Sequence, residues 1–130
     1  MFSIICRSIR RNEKGETDAE IARRANLNKS TLSKLKKELI PANRNYLWSL
    51  CFALKTNLEQ AEQLFAAGGL CFESTYHLSF EEKRREEFLR KCMEFDKHNV
   101  IEINIELYEM GYKLLGTPKI KSTKKNQKRI

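Results

Sequence analysis

Only two prolines, at positions 41 and 118, and five glycines, at 15, 68, 69, 111 and 116, interrupt this chain of 130 residues. Ala, Leu, Glu, Lys and Arg fill the intervals, and these residues lose little conformational freedom on entering a helix. An all-α fold is therefore expected. With 41% hydrophobic residues the chain has material for one compact core. Its longest uninterrupted apolar run, Leu50 to Leu54, is far below the roughly 20 residues that a bilayer requires, so no membrane span is expected. Met1 to Cys6 is too short for the apolar part of a secretion signal, and Arg7, Arg10 and Arg11 follow where a small-residue cleavage site would stand. Cys6, Cys51, Cys71 and Cys92 lie far apart with no Cys-x-x-Cys pair. Free thiols, no metal and a cytoplasmic location are the expectation.

The net charge of +8 is not spread evenly. Residues 1 to 37 carry ten Lys or Arg against four acids, and residues 117 to 130 carry six bases and no acid, whereas everything between is net acidic. Basic clusters of this kind bind polyanions, because Lys and Arg release the counterions condensed on phosphates.

Helical spacing and capping residues divide the chain into seven segments. Phe2, Ile5, Cys6 and Ile9 recur at i, i+3, i+4 and i+7, which predicts a first helix ending near Lys14-Gly15. Thr17 with Glu20 three residues later is a capping box for a second, burying Ile21, Ala22 and Ala25. Asn26-Leu27-Asn28 breaks it, and Asn28 or Ser30 caps a third in which Leu32 and Leu35 face inward. Beyond Pro41, Asn43 opens an apolar helix with Leu47, Leu50, Cys51 and Leu54 on its buried side. Tyr46 and Trp48 in this helix suit core or dimer packing better than base stacking. Asn57 with Gln60 caps a fifth helix ending at Gly68-Gly69, and residues 70 to 78 form a connector. Ser79 with Glu82 caps a charged helix expected to bury Phe88, Leu89, Cys92 and Phe95, with Glu81, Glu82, Glu86 and Glu87 on a solvated face. The next segment fits either a strand, through Ile101, Ile103, Ile105 and Leu107, or a helix, through Val100, Ile103, Leu107 and Met110. Helix is preferred, because Glu102, Glu106 and Glu109 fall on one helical face and no second strand exists to pair with. Residues 117 to 130 are basic and nearly devoid of apolar content, a composition expected to be disordered.

The second and third helices meet the requirements of a DNA-reading pair. Ala22 is the small residue at the crossing, Ile21 precedes it, Asn26 sits where the turn needs a positive φ, and Leu27, Leu32 and Leu35 lock the helices together. In these features the chain resembles the phage lambda repressor-like (Cro-type) helix-turn-helix family, with residues 2 to 69 matching its five-helix domain. The resemblance implies that Asn28 to Lys37 is a recognition helix, with Asn28, Lys29, Ser30, Ser33, Lys34 and Lys37 facing bases or phosphates. Ser30-Thr31-Leu32-Ser33-Lys34 and the later Ile103-Asn104-Ile105-Glu106-Leu107-Tyr108-Glu109-Met110-Gly111 with Leu114-Leu115-Gly116 are similar to extended bacterial and mobile-element members. The implied organisation is a helix-turn-helix domain over 1–69, a C-terminal helical extension over 70–116 packed on it, and a basic tail over 117–130.

A DNA-binding transcriptional regulator of the repressor type is the leading expectation, with double-stranded DNA as partner and Arg7, Arg10, Arg11 or the tail gripping phosphate. The alternative is a small phage or mobile-element protein that uses the same basic face to inhibit a nucleic-acid-handling protein target such as a host defence nuclease. The apolar content of residues 88 to 116 suggests a homodimer contact in either case. No enzyme and no cofactor is expected: His77 and His98 lack companions at metal-ligand spacing, and no cysteine has a catalytic partner.

Overall fold

The computed structural model describes residues 17–116, and within them every regular element is an α-helix. These are α1 (Asp18–Ala25), α2 (Lys29–Lys36), α3 (Arg44–Ala53), α4 (Leu58–Ala67), α5 (Phe80–Glu94) and α6 (Val100–Met110). The helix expected over residues 2 to 14, with Arg7, Arg10 and Arg11, lies outside the described residues, as does the tail from 117.

The helices begin where side chains satisfy their first amide groups. Thr17, Asn57 and Ser79 each close a full capping box, with Glu20, Gln60 and Glu82 respectively. Asn43 and Asn99 accept from the amides of Tyr46 and Glu102. The helices end by reversing through left-handed residues, and four of these are not glycine: Asn26, Glu38, Lys55 and Asp96. At the end of α1 the Leu27 amide donates to the Ala22 carbonyl at 2.9 Å and the Asn26 amide to Arg23 at 3.2 Å. This is the paired-bond closure of a helix terminus, usually built on glycine.

α3 forms the axis of the core. All residues from Leu47 to Ala53 are buried, and it packs against α1, α4 and α6. Trp48 stacks on Phe52 at 5.8 Å between ring centres and meets Phe65 and Phe72 at 5.8 and 5.3 Å. Such aromatic contacts add about 0.5–1.5 kcal/mol each beyond area burial. Phe72 extends this cluster from the otherwise irregular connector. The segment 100–110 is helical as preferred, burying Val100, Ile103 and Leu107.

Three expectations about side-chain burial need correction. Phe95 is 77% exposed, because α5 ends at Glu94 and the backbone turns left-handed at Asp96, so the helical stripe that placed Phe95 inward stops one residue short of it. Met110 closes α6 and is 45% exposed, since the stripe loses its neighbours where Gly111 reverses the chain at φ +80°. Glu86, read as part of a solvated face, is only 4% exposed. Its carboxylate receives the Arg44 guanidinium through two bonds of 2.6 and 2.7 Å, a forked pair that joins α5 to α3 and satisfies both charges.

Candidate nucleic-acid interface

α1 and α2 are eight residues each and are joined by Asn26–Asn28 alone. Asn26 has φ +60° and ψ +38°, the left-handed conformation that an asparagine tolerates through its short polar side chain. Ile21, Ala22, Ala25, Leu27, Leu32 and Leu35 are all buried, and α1 packs against both α2 and α3. Arg24 strengthens that attachment by donating from its guanidinium to the Ala53 carbonyl at the end of α3.

The opposite side of α2 is basic. Asn28, Lys29, Ser30, Lys34 and Lys37 are exposed, and Ser33 is half-buried. Lys29 and Ser33, and Ser30 and Lys34, stand four residues apart, so each pair stacks on one face of the helix. Lys36 is not part of this set. It turns back to the Asp18 carboxylate, with bonds of 2.9 and 3.0 Å, and braces α2 against α1. Asn28 occupies the N-cap position without a side-chain capping bond, so its amide and those that follow it are not closed off by that side chain.

The sequence did not point to the way the far end of the described chain grips this turn. The Leu115 amide donates to Asn104 Oδ1 at 2.8 Å, and the Leu115 carbonyl accepts from Asn26 Nδ2 at 3.0 Å. The Gly116 carbonyl accepts from Asn45 Nδ2 at 2.9 Å. Arg85 donates to the Lys113 carbonyl and to Asn45 Oδ1, both at 2.8 Å. Burial pulls the Arg85 guanidinium below its ordinary pKa, opposed by the neighbouring Glu86 and Glu82 carboxylates. Four polar side chains from the turn, α3, α5 and α6 thus converge on residues 113–116. Gly116 is there for close approach: at φ +82°, a Cβ on it would collide with the Asn26 carbonyl oxygen and lie 2.7 Å from that of Ala25.

A cleft of about 560 Å³ beside this junction is lined by Arg44, Arg85 and Glu86, all engaged in the bonds just described. Among the described residues no group of three or more His, Cys, Asp or Glu could hold a metal ion, and no helix is long and apolar enough to cross a membrane. His98 faces the Thr56 carbonyl at 3.1 Å. Cys71 and Cys92 are free thiols, and burial pushes that of Cys92 up to about 11.

No family model matches this chain, and no curated protein or solved structure matches it either.

Proposed function

We propose that the chain is a DNA-binding regulator in which α1, the Asn26 turn and α2 act as a helix-turn-helix, with Lys29, Ser30, Ser33, Lys34 and Lys37 directed into the major groove. The observation that carries this reading is the division of α2 into a buried side, Leu32 and Leu35, and an exposed side of Lys29, Lys34 and short polar residues, continued by the exposed C-cap residue Lys37. Short basic and hydroxyl side chains on one face of a helix suit both base edges and phosphates. The fixed position of Gly116 on the Asn26 turn supports it as well. Six basic residues follow Gly116 in the sequence, and in this reading they add sequence-independent affinity for phosphate.

The test is a gel shift of the full-length protein against duplex DNA flanking its own gene, beside an unrelated duplex of equal length. Lys34→Ala should weaken the specific complex by roughly 1–3 kcal/mol if Lys34 reads a base, and should weaken both complexes about equally if it contacts phosphate. Leu32→Ala is the fold control and should lower stability by roughly 2–5 kcal/mol. Wild-type affinity in both Lys29→Ala and Lys34→Ala would sink the reading and favour a protein target for this face.

A further inference from the structure

A cavity of about 460 Å³ opens where the end of α1, the end of α3 and the start of α6 meet, a size within the roughly 300–1,000 Å³ of small-ligand sites. Its lining divides by chemistry. Phe52 and Val100 are buried side chains, and Ile101 beside them is 71% exposed, which gives the recess an apolar surface. Around it stand Arg23, Arg24, Lys55 and the imidazole of His98, and no described carboxylate lines the cavity. Asp96 approaches from outside, 3.8 Å from His98 Nδ1 and 95% exposed.

Two of these polar groups have structural duties. The Arg24 guanidinium donates to the Ala53 carbonyl. His98 Nε2 meets the Thr56 carbonyl at 3.1 Å, and its ring stands edge-on to Phe52 at 6.0 Å between centres. Arg23 and Lys55 have no such duty: both are exposed, and among the described residues neither side chain has a hydrogen-bond or ion-pair partner. The dipole of α1 favours basic residues in its last turn and accounts for Arg23 and Arg24 there. It gives no reason for Lys55, which follows α3 at φ +57°, to join them.

Like charges gathered around one recess repel, and an anion placed among them relieves that repulsion where water screens it less than on an open surface. A bare phosphate would leave the apolar surface uncovered. A DNA duplex, whose phosphates lie on a convex surface, would leave the recess unfilled. An organic anion answers both halves of the lining.

We propose that this cavity binds a small organic anion, its carboxylate or phosphate held by Arg23 and Lys55 and its apolar body resting on Phe52, Val100 and Ile101. The proposal is independent of the reading of α2 and stands whether or not α2 binds DNA.

Full-length protein labelled with nitrogen-15 can be titrated with octanoate, octyl phosphate, octanol and inorganic phosphate while the amides of Arg23, Lys55 and Ile101 are followed by NMR. Octanoate or octyl phosphate should saturate one site at least about tenfold more tightly than octanol, and the tighter of the two names the head group. Arg23→Gln and Lys55→Gln should each weaken the anion by up to about fivefold and leave octanol unchanged. Ile101→Ser should weaken anion and alcohol alike, by about threefold. All three positions are exposed, and thermal melting confirms that each variant is folded. Octanol binding as tightly as the anions, indifference to the loss of both Arg23 and Lys55, or no saturation by either octyl anion would overturn the proposal. So would inorganic phosphate binding as tightly as octyl phosphate, which marks a bare anion site, or a short DNA duplex that shifts the same amides and displaces octanoate, which marks a polyanion surface.

Discussion

The side-chain amide of Asn26 donates to the carbonyl of Leu115 at 3.0 Å, so the residue that turns the chain between α1 and α2 also holds the end of the described chain. Asn26 has two separable duties, a positive φ and a tertiary bond. Asn26→Gly keeps the first and loses the second, and should cost about 1 kcal/mol. Asn26→Ala loses both and should cost a further 1–2 kcal/mol or so for a left-handed residue with an ordinary Cβ. Urea denaturation of the three proteins checks the order; equal stability of the glycine variant and the wild type would mean that the Leu115 bond contributes nothing.

Gly116→Ala should act on the same junction from the other side. The added methyl would run into the Asn26 oxygen and sit 2.7 Å from that of Ala25, contacts with backbone that no side-chain rotation relieves. Residues 115–116 must lift away, and the turn loses its cover. A lower melting temperature should accompany faster hydrogen exchange at the Leu115 amide, which donates to Asn104, with exchange in α4 changed least, because α4 contributes no side chain to this junction.

Two of the ion pairs that brace the described helices should differ sharply in worth. Arg44–Glu86 is nearly dry, with the two side chains 11% and 6% exposed, so Glu86→Ala strands a buried guanidinium and should cost roughly 3–5 kcal/mol. Lys36–Asp18 is partly in water, at 20% and 37%, and Asp18→Ala should cost no more than about 1 kcal/mol. Arg44→Met combined with Glu86→Leu should recover part of the first loss, as it removes the stranded guanidinium while Glu82 still faces Arg85. Guanidinium titrations of these variants beside the wild type decide this.

Cys92 gives a pH signature. Its thiol is held neutral by burial, with the pKa raised from 9.0 to about 11. The unfolded chain therefore releases this proton first as pH rises. The contribution of Cys92 is fully present below pH 9 and is lost progressively between pH 9 and about 11. Melting temperature should fall across that window more steeply in the wild type than in Cys92→Ala. At a pH of about 8, Cys92 should also react with a thiol reagent far more slowly than the exposed Cys71.

Much of the local architecture was legible in the residues themselves. Thr17, Asn57 and Ser79 mark helix starts because each capping box is closed between a residue and its neighbour three positions on. The inward positions of Leu32 and Leu35, and the outward ones of Lys29 and Lys34, follow from helical spacing alone. The breaks at Glu38, Lys55 and Asp96 were harder to see, since nothing in those side chains announces a left-handed backbone; the packing of the flanking helices imposes it.

Helix starts and the lysine face of α2 are properties of short stretches of chain, because hydrogen bonds to the nearest amides and a fixed angular step per residue act over a few positions. Folding in three dimensions was needed to bury Glu86, to expose Phe95, and to bring Asn26, Asn45 and Asn104 together at Leu115 and Gly116. Burial of a carboxylate depends on a guanidinium 42 residues away in the chain, and an asparagine that closes a junction differs from one on the surface only in the partners that folding brings to it.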